Sequence, residues 1–110
     1  MATSFLAKFI KTRLLLDDCL YKTNNTLPLL ILLSVLDSEL SNYELNIKAL
    51  PNYQNYSGNA VRACLKKLET EKLIKVNKSN RDRRNKVIKA TKVLMARYEK
   101  LRERVVENEI

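Results

Sequence analysis

Between Tyr56 and Thr91 the hydrophobic period changes once, from helical to alternating, which commits this stretch to a helix followed by a short β-hairpin. Ser57 is placed to cap the helix, its hydroxyl accepting from a free first-turn N–H. Val61, Cys64, Leu65 and Leu68 then recur at the spacing of one buried helical stripe. Asn59, Arg62, Ala63 and Lys66 fall on the opposite face, with Lys67 on its flank. Beyond Lys72 the pattern alternates: Ile74 and Val76 point one way, Lys75 and Asn77 the other, as in a half-buried strand. The arginine-rich run SNRDRRN predicts a polar loop, and Lys86 to Ala90 a second strand with Ile88 and Ala90 on one face.

Charge sets this unit apart. Residues 1–50 carry five basic and five acidic side chains. Residues 62–92 carry twelve basic and three acidic ones, a net +9 that equals the charge of the whole chain. A neutral half joined to a strongly positive helix and hairpin is the electrostatic footprint of a polyanion binder. The aromatic platform expected of a single-stranded RNA binder is missing, and a purely protein-binding role leaves the concentrated charge unexplained.

The flanking segments read as helices. Residues 4–22 form the first, with Ser4 as N-cap and Phe5, Phe9, Leu16 and Leu20 on one face, widened by Leu6 and Ile10. So broad a stripe is expected to be covered from two sides, either by its own domain and a partner subunit or by intramolecular packing alone. Leu27 to Ser38 is apolar almost all round and predicts the central buried helix. Ser41-Asn42-Tyr43-Glu44 has the capping-box pattern, predicting a helix to about Leu50 that Pro51 stops. With the Ser57 helix it would make a helix-turn-helix, with Tyr53 and Tyr56 packed beneath the turn. From Thr91 onwards Leu94, Tyr98, Leu101 and Val105 form a narrow seam of the kind that meets another helix. Phe5 and Phe9 together with this seam are the expected homodimer interface.

Several functions are excluded by what is scarce. The chain has no histidine and one glycine, which removes many catalytic constellations and the glycine-rich phosphate loops. Cys19 and Cys64 are too few and too far apart for a zinc site, so no metal or cofactor is expected, and no enzyme. Two unclustered cysteines fit a reducing cytoplasm. Charged residues at Lys8, Lys11 and Arg13 interrupt any leader, and the longest apolar run, Leu27 to Leu36, is far short of a membrane span. Cys64, on the apolar stripe, reads as a plain buried thiol rather than a redox switch.

The segments SGNAVRACLKKLETEKLIKV and RDRRNKVIKAT together resemble the recognition helix and wing of the MarR-type winged-helix transcription regulators. The matching features are Ser57 at the helix start, Leu68-Glu69 near its end and Leu73-Ile74 entering the wing, then Asp82-Arg83-Arg84 at its tip and Ala90-Thr91 at its close. Thr26-Leu27-Pro28 resembles the start of the family's first helix-turn-helix helix. Lys72 stands where the family has a glycine, Ala90 replaces a leucine, and the turn from Pro51 to Tyr56 is several residues longer. The resemblance implies a mainly α fold with a small β-hairpin, a winged helix-turn-helix with dimerisation helices at both ends. Residues 1–110 would form a single DNA-binding domain: 4–22 the N-terminal helix, 26–90 the winged helix-turn-helix, 91–109 the C-terminal dimerisation helix.

The implied function is a homodimeric, sequence-specific double-stranded DNA-binding regulator, a repressor, acting in the cytoplasm at the nucleoid. Ser57, Asn59, Arg62, Ala63, Lys66, Lys67, Arg81, Arg83, Arg84 and Lys86 would form the DNA surface. Asn59 and Arg62 are the candidates for base readout, Lys66 and Lys67 for phosphate. By resemblance, Arg84 enters the minor groove and Asp82 braces the wing. The same fold would also serve a plasmid- or phage-encoded protein that coats DNA for partition, replication control or compaction.

Overall fold

The computed structural model describes residues 2–50, 55–78 and 86–107. Its centre is α2, Thr26–Leu40, whose Leu27, Leu29, Ile31, Leu32, Val35, Leu36 and Ser38 are buried. A helix apolar on nearly every side is expected to be surrounded; here it is covered over most of its circumference, with Leu33 and Leu40 left exposed. Its one buried polar side chain is satisfied locally, the Ser38 hydroxyl donating to the Val35 carbonyl at 2.7 Å. Pro28 lies in the first turn, where its missing N–H costs nothing. The far end closes on Asn42, held left-handed at φ 57°, with the Tyr43 N–H donating back to the Ser38 carbonyl at 3.0 Å.

That closure explains why the capping box fails. Ser41 and Asn42 are used to end α2, so no α-helix follows in residues 41–50. Leu45–Asn46 instead forms a short strand, β1, and Ile47–Ala49 a single 3₁₀ turn. Asn46 caps that turn, its side-chain oxygen accepting from the Lys48 N–H at 3.0 Å. Leu50 is extended at φ −60°, ψ 136°, the conformation a following proline favours. Tyr56 packs against the core as expected, whereas Tyr53 lies outside the described residues.

Helix α3, Gly58–Thr70, leads into β2, Ile74–Lys78, and β3, Lys86–Ala90. These strands pair antiparallel with Ile74 opposite Ala90 and Val76 opposite Ile88. On its other side β3 pairs with β1, Leu45 opposite Ile88, giving a sheet ordered β1-β3-β2. As the middle strand β3 has a neighbour along each edge, Asn46 and Asn77 flanking Val87, and Val87 is buried alongside Ile88. The expected alternation of β3 misses Val87.

The first helix, α1, runs Ala2–Leu15 and passes into a π-helical turn, Leu16–Leu20. Ser4, expected at the N-cap, therefore lies within the helix range. Only its last part is packed: Leu15, Cys19 and Leu20 are buried, while Phe5, Leu6, Phe9, Ile10 and Leu14 are each more than half exposed. Helix α4, Lys92–Glu107, is capped by Thr91, whose hydroxyl oxygen accepts from the Leu94 N–H at 3.3 Å. Its seam meets a helix, but one of its own chain. Leu101 packs with Leu15 and Cys19, flanked by Leu16 and Val105, and Leu94 and Tyr98 join the main core. Leu94 has no exposed surface, so it cannot face a second copy. Among the described residues, no helix is long and apolar enough to cross a membrane.

Candidate nucleic-acid interface

The recognition-type helix α3 is built as its spacing dictates. The Ser57 hydroxyl oxygen accepts from the Ala60 N–H at 3.0 Å and satisfies one free donor of the first turn. Val61, Leu65 and Leu68 are buried and Cys64 half-buried, which turns Asn59, Arg62, Ala63, Lys66 and Lys67 to solvent. All five α3 residues expected on the outer face are there. Burial pushes the Cys64 thiol up, partly opposed by the nearby Lys67 ammonium, so the sulfur is held as a protonated thiol.

At the C-terminal end of α3 the chain turns in the left-handed conformation at Lys72, φ 63°. The Lys72 N–H donates to the Glu69 carbonyl at 2.9 Å and the Leu73 N–H to the Leu68 carbonyl at 3.0 Å. This double closure, with Leu68 and Leu73 both buried, is the usual glycine-terminated helix end, made here without a glycine. A side chain in this region costs about 1–2 kcal/mol. The turn is held from outside, because the Thr91 hydroxyl donates to the Lys72 carbonyl at 2.6 Å and the Thr91 N–H to the Leu73 carbonyl at 3.2 Å.

Two carboxylates tie the hairpin to the helices. Glu69 Oε2 accepts from the Val76 N–H at 3.2 Å, and Glu39 Oε1 accepts from the Ala90 N–H at 3.2 Å. The hairpin register places Lys75 opposite Lys89 and Lys78 opposite Lys86. All four are exposed. Like charges directly across a strand pair are destabilising, and the described residues show no acidic side chain bonded to any of them. Lys86 thus sits where expected, at the start of β3. Arg81, Asp82, Arg83 and Arg84 lie outside the described residues.

A contact that no motif announces links the N-terminal helices to α3. The Tyr21 hydroxyl, just past the π-helical turn, donates to Glu71 Oε1 at 2.7 Å across fifty residues of chain. Burial and the Glu71 bond push the Tyr21 phenol up to about 12. Arg97 of α4 donates to the Leu20 carbonyl at 3.0 Å, fixing the same corner. No pattern in the sequence marks Tyr21, because its partner is set by tertiary packing alone. Among the described residues, no group of three histidine, cysteine or acidic side chains could hold a metal ion.

A helix capped by serine, buried on one stripe and basic outside, followed by a lysine-lined hairpin tied back to it, defines a winged helix. Solved structures share this fold. YusO from Bacillus subtilis superposes with a TM-score of 0.62 over 99% of this chain and 77% of its own, at 18% identity. The transcriptional regulator BldR from Sulfolobus solfataricus gives 0.53 over 96% and 74%, at 23% identity. BpsR from Bordetella bronchiseptica, whose DNA binding is regulated by 6-hydroxynicotinic acid, gives 0.55 over 98% and 78%, at 15% identity. No protein-family sequence model matches the chain, and no curated protein sequence does. With these structures the fold read from Ser57 to Thr91 stands: the chain is a winged helix.

Proposed function

We propose that this protein is a sequence-specific double-stranded DNA-binding transcriptional regulator that acts as a homodimer and represses. The observation that carries this reading is the basic hairpin: Lys75 faces Lys89 and Lys78 faces Lys86 with no bonded acid among the described residues. Such an arrangement is relieved by an anionic partner, and phosphates spaced along a duplex supply one. Helix α3 presents Asn59 and Arg62 near its N-terminal end, where a helix lying in the major groove meets base edges. Lys66 and Lys67 follow toward the phosphates.

A second copy is the proposed cover for α1. Phe5 and Phe9 are 68% and 66% exposed, and Leu6, Ile10 and Leu14 extend the same apolar surface. Apolar surface of this size on one helix is unfavourable in water and is buried by association. Selection of bound duplexes from random DNA, followed by footprinting, tests the proposal. A discrete footprint on a short palindrome supports it. Cooperative spreading on long DNA without a preferred site would instead make the protein a DNA-coating factor.

A further inference from the structure

Among the described residues the exposed face of α3 carries one hydrogen bond between two of its own side chains, and it constrains what the helix can read. We infer that Asn59 is a positioning residue for Arg62, and that the two together address one guanine rather than two separate bases. The inference rests on the DNA-reading role proposed above. Asn59 and Arg62 are three residues apart and share a helical face. Arg62 Nη2 donates to Asn59 Oδ1.

That bond narrows the chemistry left over. An asparagine that reads adenine needs its oxygen to accept from the N6 amino group while its NH₂ donates to N7. With the guanidinium seated on Oδ1, one of that oxygen's two lone pairs is taken, and an incoming N6 amino group would have to use the other beside a bound cation. The pair then reads through the remaining N–H groups of Arg62, held in place by Asn59, a surface of donors. Its complement in the major groove is the edge that offers only acceptors, N7 and O6 of guanine.

Gly58 gives the guanidinium its place. A Cβ at residue 58 would already touch it, at 3.6 Å from Nη1 and 3.8 Å from Nη2, so any longer side chain would compete for that space. The guanidinium is therefore folded back over the first turn of α3. The N-terminal end of a helix dipole repels a cation. The bond to Asn59 opposes that repulsion and holds the side chain where a base edge would arrive.

The test uses the full chain and a duplex selected by it from random DNA. Binding of wild type, Arg62→Ala, Asn59→Ala and Asn59→Asp is measured by fluorescence anisotropy on the selected duplex and its single-base variants. The same duplex with 7-deazaguanine at the Arg62-dependent position, where N7 is replaced by carbon, completes the set. Both side chains are exposed, and a preference ratio between duplexes does not depend on the folded fraction. Arg62→Ala should erase a guanine preference of about 5- to 150-fold at one base pair, the range of a good bidentate contact. Asn59→Ala should erode the preference at that same base pair. Asn59→Asp, which still accepts from Arg62, should keep the ratio while weakening binding to every duplex. The deaza base should weaken wild type and leave Arg62→Ala unchanged. If Asn59→Ala relaxes a different base pair and leaves the Arg62 position intact, this inference fails while sequence-specific binding stands. A wild-type protein that selects no sequence overturns both.

Discussion

Replacing Lys72 by glycine should stabilise the protein, and the size of the effect follows from the helix end. Lys72 is held at φ 63° by two backbone hydrogen bonds from the closing turn and by the Thr91 hydroxyl on its carbonyl. None of these involves its side chain, so glycine keeps all of them. An L-residue in the left-handed region costs about 1–2 kcal/mol, and glycine's greater freedom in the unfolded chain returns roughly 0.5–1 kcal/mol of that. The proper comparison is Lys72→Ala, which removes the same charge but keeps the Cβ. Lys72→Gly should exceed Lys72→Ala by about 0.5–1 kcal/mol, or about 2–6 °C in Tm for a chain of this size. Urea denaturation with unchanged slopes, beside thermal melts of both variants, reads this directly. Coincident melts of the glycine and alanine variants would refute the reasoning, because the backbone would then not be strained at this residue.

Other outcomes follow from contacts elsewhere. The Tyr21 phenol is raised from 10.0 to about 12, so its stabilising contribution is complete below pH 10 and is lost as pH rises toward 12. Urea midpoints of wild type should therefore fall more than those of Tyr21→Phe between pH 9.5 and about 11.5. Phe9→Glu, on the exposed face of α1, should dissociate the proposed dimer in sedimentation while leaving the melting of the monomer fold nearly intact. Leu101→Ala should do the reverse, costing about 2–5 kcal/mol of stability, because Leu101 fills the cluster with Leu15 and Cys19. The slope of log affinity against log salt should lie near about −5 to −9 if 6–10 phosphates per dimer are neutralised. A slope close to zero would remove the basic unit from the binding surface.

The recognition-type helix was legible because Val61, Leu65 and Leu68 repeat at helical spacing behind a serine that does cap it. The hairpin was legible for the same kind of reason, one change of period. Ser41-Asn42-Tyr43-Glu44 misled because a local capping signature has no knowledge that the preceding helix needs those residues to end on. The α4 seam was rightly expected to meet a helix, but spacing alone does not say whose helix it is; Leu94 and Leu101 turn out to meet their own chain. Val87 and the Tyr21–Glu71 bond were invisible for a shared reason. Both depend on which elements become neighbours, β1 beside β3 and the π-helical turn beside the end of α3. Of the candidate DNA surface, the helix side chains and Lys86 fall where the pattern put them.

The facing lysines of the hairpin carry one more consequence, for the protein without DNA. Lys75 and Lys89, and Lys78 and Lys86, repel each other across the strands when no anion lies between them. Added electrolyte screens that repulsion over a Debye length of about 10 Å at 0.1 M. Ionic strength should then act with opposite signs on the two states, loosening the complex while firming the free hairpin. Exchange of the amides that bond β2 to β3 in the unbound protein should slow as salt is raised, over the same range in which the complex comes apart.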